Sequence, residues 1–161
     1  MEPWKQDQLI QNNKKFDITM KWHNFMIYFG LWAGAEIVVV NAINVFTGAI
    51  YGGASAAQMV YIQFSGLKSI DVFYAASLLA FAAYEIYTRF ALARYRKTGP
   101  KCFCLIYLIG TAISVIYSLL VTVFTGLWTI GAILPSCAVS IAFFFINKTY
   151  YKKRMFLFIN D

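Results

Sequence analysis

The sequence predicts an all-α integral membrane protein: a bundle of four transmembrane helices with both termini in the cytoplasm. Three observations carry that prediction. Apolar residues make up 60% of the 161-residue chain and charged residues only 13%, whereas a soluble domain has about a quarter of its residues charged. Four apolar stretches reach the roughly 20 residues that a helix needs to cross hydrocarbon. All but one of the 14 Lys and Arg residues fall into three clusters on one side of those stretches. Helices are the expected spanning element, because an open sheet would leave backbone groups unsatisfied in lipid.

Residues 1–21 form a polar cytoplasmic lead, in which Trp4, Leu9, Ile10, Phe16 and Ile18 are placed to reach the headgroups or to fray. The apolar stretch after it is long and lacks a small-residue cleavage site, so it is expected to remain as a span. Span one covers about residues 22–46, with Trp22 and Tyr28 suited to the interface. Gly30 and Gly34 form a small-residue pair that allows a neighbouring helix close approach. Gly48, Gly52, Gly53 and Gly66 then break regular structure in an outer connection, where Met59 to Ile62 suits a short helix or an interfacial dip.

Span two covers about residues 70–93. Ser69 is a candidate N-cap, Asp71 a favourable first-turn acid, and Ala76, Ala80 and Ala83 a packing seam. Glu85 and Arg89, four residues apart, are placed to pair. A basic loop with Gly99-Pro100 leads to span three, about residues 102–124, and Thr125-Gly126 turns tightly into span four, about residues 127–146. Pro135 is expected to kink that last span. Residues 147–161 form a basic, aromatic cytoplasmic tail that reads as an interfacial anchor.

Orientation follows from charge. Lys5, Lys14, Lys15 and Lys21 precede span one; Arg89, Arg94, Arg96, Lys97 and Lys101 flank the middle loop; Lys148, Lys152, Lys153 and Arg154 follow span four. Only Lys68 lies on the other side, and this bias predicts a plasma (inner) membrane protein with cytoplasmic ends. The net charge of +7 is thus explained by lipid headgroups, and nucleic acid is not an expected partner.

Glu36 is the sharpest candidate for chemistry. It stands about 20 Å along span one from Trp22, near mid-membrane, with no Lys or Arg at that depth. A protonated or proton-exchanging acid is expected there, serving either as a proton or cation site or as a neutral hydrogen-bonding group. Asn41, Asn44 and Glu85 join it as a candidate ion, proton or substrate site. Spans three and four carry hydroxyl stripes. Tyr107, Thr111, Ser114, Ser118, Thr122 and Thr125 share one face of the third, and Thr129, Ser136, Ser140 and Asn147 share one face of the fourth. Thr111, Ser114, Ser118, Ser136 and Ser140 are the candidate polar path, against the plainer reading of interhelical hydrogen bonding.

No catalytic set is visible, so the chain is not expected to be an enzyme. Cys102 and Cys104, with His23 the single histidine, fall short of a four-ligand zinc set, and no metal or cofactor is expected. Asn147-Lys148-Thr149 matches a glycosylation pattern, but its cytoplasmic placement makes that a chance match.

Several stretches together resemble small four-span membrane proteins of bacteria, particularly gut bacteria, to which no activity is assigned. They are Trp22 to Phe29 (WHNFMIYF), Phe46-Thr47-Gly48 with Tyr51-Gly52-Gly53, and Leu67 to Asp71 (LKSID). Tyr87-Thr88-Arg89, Leu92-Ala93-Arg94, Gly99-Pro100 and Asn147 to Arg154 (NKTYYKKR) belong with them. Some such proteins carry an N-terminal zinc ribbon, and no cysteine precedes Trp22 here. The resemblance implies the four-span architecture and implies no catalytic residue. Small multidrug transporters also have four spans and a Glu in the first, but their antiparallel pairing conflicts with this one-sided charge. The expected function is therefore a structural, accessory or partner-binding membrane subunit, in contact with lipid and with a second copy or another membrane protein. The alternative is a small transporter or channel component using Glu36.

Overall fold

The computed structural model describes residues 19–161. The readings made for residues 1–18, including Trp4, Leu9, Ile10, Phe16 and Ile18, lie outside the described residues. Helix α1 runs over Lys21–Phe46, α2 over Ala54–Gln63, α3 over Leu67–Ala93, α4 over Gly99–Thr125 and α5 over Ile130–Lys152. Four of these, all but α2, are long and apolar enough to cross a membrane. No strand is present among the described residues.

Packing follows chain order. Helix α1 lies against α3, α3 against α4, and α4 against α5. The face that α1 buries is Leu31, Ala35, Ala42 and Val45. Its Ala42 and Val45 meet Ala75 and Leu78 of α3, with Val38, Tyr74 and Ile113 packed around them. This face is rotated from the expected Gly30–Gly34 line, and Ile37 and Asn41, each seven residues on from one of those glycines and so on the same side, are exposed. Gly34 does meet α3, whereas a Cβ at Gly30 would meet only its own helix's Met26 and Phe25. The seam expected on α3 is also uncovered: Ala76, Ala80 and Ala83 are exposed, while Ala75 and Ala82 are buried. Small-residue spacing identified a stripe but could not say which stripe a neighbour covers.

Helix α1 contains one π-helical turn, Met26–Gly30. Such a turn shifts carbonyls out of the regular ladder. Ile27 in it accepts a hydrogen bond from Arg89 Nε at 3.2 Å, and the guanidinium lies over the rings of Trp32 and Phe90. Arg89 is therefore satisfied by a carbonyl and two aromatic faces. The expected Glu85–Arg89 pair does not form.

The connection after α1 turns on Gly48 at φ 74°, where an added Cβ would stand 2.5 Å from Ala57 Cβ. Helix α3 begins at Leu67, capped by left-handed Gly66 at φ 100° rather than by Ser69. Between α4 and α5 the link is longer than the predicted dipeptide. Gly126 takes a left-handed conformation at φ 71°, and α5 starts only at Ile130. Thr122 and Thr129 clamp this hairpin with a 2.9 Å hydroxyl contact, and Thr129 Oγ1 also donates to the Ser118 carbonyl at 3.0 Å. Helix α5 runs through Pro135 as one assigned helix.

The start of α1, the basic loop between α3 and α4 and the tail after α5 meet at one end. The chain after α5 folds back, burying Leu157 and Phe158. Asn160 N donates to Tyr95 O, Lys97 N donates to Asn160 O, and Lys97 pairs with Asp161 at 2.6 Å. Arg154 reaches Thr19 O and stacks on Tyr150. The final residues thus close the end of the bundle by packing, beyond the anchor role expected for them.

Candidate functional site

Among the described residues, most polar side chains inside this apolar bundle gather in four places. Among the described residues, no three His, Cys, Asp or Glu stand together as a metal site would require.

The first is built on Asp71, which is 1% exposed. Its Oδ2 accepts from the hydroxyls of Tyr51 at 2.8 Å and Tyr61 at 2.9 Å, and its Oδ1 accepts from Tyr117 at 2.9 Å. The three phenols come from the turn after α1, from α2 and from α4. One carboxylate therefore ties three separate segments to α3. Tyr74 supports the arrangement by stacking on Tyr117 at 3.8 Å between centroids. Hydrogen bonds to an ionised group are worth about 1.5–3 kcal/mol each, and phenols can satisfy a carboxylate without a cation. Burial, with the adjacent Asp71, pushes Tyr61 up to about 12 and raises Tyr51 above its ordinary value. In the sequence Asp71 reads only as a first-turn acid, and no local pattern singles out Tyr51, Tyr61 and Tyr117, which reach it from three separate segments.

The second is Glu85, 6% exposed, whose Oε2 has no hydrogen-bond partner. A Cβ at Gly34 would lie 3.4 Å from its Oε1, so the missing side chain makes room for the carboxyl. Glu36 is exposed. The two acids are not brought together: Gly34 faces α3, and Glu36, two residues on, points about 200° away around the helix. Asn41 is exposed and Asn44 half-buried, so neither joins Glu85 in a common pocket.

The third is the hydroxyl seam. Thr111 and Ser114 of α4 and Ser136 and Ser140 of α5 line one cavity of about 140 Å³, with Gly110, Ile133 and Cys137. Ser118 lies outside that lining and is buried, its carbonyl taken by Thr129. The two stripes read from the sequence do face one another. The space between them is large enough for water.

The fourth sits at the basic end. Asn147, fully buried, accepts from Trp22 Nε1 at 2.8 Å and donates to Tyr107 Oη at 3.2 Å and Phe143 O at 2.8 Å. His23, also fully buried, contacts Tyr151 Oη through Nδ1 at 3.1 Å. The rings of Tyr95, Tyr151 and Phe158 surround it, and its Nε2 has no partner. These two residues join the start of α1 to the end of α5. Asn147, a chance glycosylation match in the sequence, is a packing residue.

No protein-family model, curated protein or solved structure matches this chain.

Replacing Tyr117 with Phe leaves Asp71 Oδ1 without its donor. The variant should lose about 1–3 kcal/mol of stability, measured by thermal or denaturant unfolding in mild detergent. The neutral phenol is the donor, so the Tyr61 contribution is complete below the ordinary tyrosine value of 10.0 and is lost as pH rises through about 12. Ultraviolet titration should show tyrosinate absorbance appearing at lower pH in Asp71→Asn than in the wild type.

Proposed function

We propose that the protein is an accessory, partner-binding subunit of the plasma (inner) membrane, without enzymatic activity and with its basic clusters in the cytoplasm. The observation that carries this reading is the uncovered side of α5. Helix α5 rests on α4 through Cys137, Ser140, Phe144, Asn147 and Tyr151, all buried or half-buried. On the opposite side Gly131, Pro135, Ala138 and Ala142 are exposed and fall within about 60° of one another. In lipid, small residues favour helix association by letting backbones come close, since burial of apolar surface gives little drive there. The exposed Ala76, Ala80 and Ala83 on α3 offer a second such face. A second copy of this chain or a helix of another membrane protein fits either seam.

Ala138→Leu and Ala80→Leu should each lower oligomer or crosslinked-partner yield several-fold in native membranes, with an unchanged unfolding midpoint. A wild-type protein that stays strictly monomeric in mild detergent and crosslinks only to lipid would remove the reading.

A small transporter or channel component is the competing reading, and Glu85 favours it. A buried carboxyl oxygen without a partner is costly in an apolar bundle, and intramembrane acids commonly mark ion or proton paths. On this reading the acid that matters is Glu85 and not Glu36. Glu85→Gln should abolish proton or cation flux into proteoliposomes while Glu36→Gln leaves it unchanged. Equal flux from wild-type and protein-free liposomes would end it.

A further inference from the structure

We propose that the groove between α4 and α5 at the basic end binds an anionic phospholipid, with its phosphate at Lys101, Lys148 and Lys152 and an acyl chain along Leu105, Leu108 and Phe144. The groove encloses about 480 Å³ and is lined by these six residues and their neighbours. Its chemistry changes with depth. Lys101 lies near the start of α4, and Leu105 and Leu108 follow four and seven residues on, about 6 and 10 Å deeper. On the antiparallel α5, Lys148 and Lys152 stand one turn apart at the same end, with Phe144 one turn deeper. A cationic rim over an apolar floor is the profile of an amphiphile with a negative head.

Charge complementarity selects the occupant. All three lysines are exposed. Among the described residues the ion pair at this end is Lys97–Asp161, and none of the three groove lysines has a carboxylate partner. Lys148 Nζ lies 5.5 Å from the Phe144 ring centroid, which joins the rim to the floor. A choline headgroup would bring its own cation to the lysines, and a free phosphate would leave the floor unused. Basic pockets between membrane helices hold anionic headgroups in this way. The proposal needs the four helices to span a bilayer and does not depend on α5 having a partner.

Native mass spectrometry of the full chain, reconstituted with phosphatidylglycerol or phosphatidylcholine, tests it. The wild type should retain phosphatidylglycerol with a preference on the order of a hundred-fold, about five-fold from each of the three lysines. One basic residue near an anionic surface is worth about five-fold, so K101Q/K148Q/K152Q should lose on the order of a hundred-fold and K148Q alone about five-fold. The control K21Q/K97Q/K153Q removes the same charge outside the groove and should keep the preference. Circular dichroism of each variant checks that the helices persist. Equal retention of the two lipids by the wild type, an unchanged groove triple variant, or an equal loss in the control would overturn the proposal.

Discussion

Hydrocarbon offers no water to a buried polar group, so each such group must find its partner within the protein or lose the bond. That constraint organises this bundle, and Asp71 shows how. The carboxylate sits 1% exposed at the end opposite the basic loop and tail and takes hydroxyls from Tyr51, Tyr61 and Tyr117. Without it, the turn after α1, the short helix α2 and helix α4 would share no polar contact point on α3. The interhelical apolar contacts are nondirectional and permit sliding. Three hydrogen bonds to one side chain set the position of these segments more narrowly.

At the other end, Asn147 and His23 do comparable work with neutral groups. Trp22, Tyr107 and Phe143 saturate Asn147, and the chain's return through Phe158 completes the aromatic enclosure of His23. Helix α5 is thus secured at its two ends, by Thr129 to Thr122 and Ser118 near its start and by Asn147 and Tyr151 near its finish. Between them it touches α4 along one hydroxyl-rich side and leaves the opposite side open. The π turn in α1 extends the same logic to charge, because Arg89 is satisfied by the Ile27 carbonyl and two rings instead of by Glu85.

Much of the architecture was legible in the sequence because span length, hydropathy and basic clustering are local properties. Helix α4 begins three residues before the expected start of span three and α5 runs six residues past the expected end of span four, while the hydroxyl stripes of the two helices meet across a shared cavity. The individual contacts were less legible. Gly30 and Gly34 looked equivalent, yet only Gly34 approaches α3. Ala76, Ala80 and Ala83 looked like an internal seam, yet the buried face of α3 carries Ala75 and Ala82. A one-residue change of phase rotates a helix by about 100°, and apolar helices in lipid give little sequence contrast between buried and lipid-facing sides. Glu36 looked isolated at mid-depth and Glu85 looked paired; the structure exposes the first and leaves an oxygen of the second unpartnered.

By itself, the sequence determined that this chain is helical, that four of its segments are long and apolar enough to span a membrane, and that its basic residues cluster along the chain between those segments. Those properties depend on composition along single segments, and neighbours cannot change them. The tertiary structure alone decided which acid is buried, which tyrosines reach Asp71, and which small residues stay uncovered. Each of those depends on the rotation of one helix against the next, a quantity set by side chains far apart in the chain.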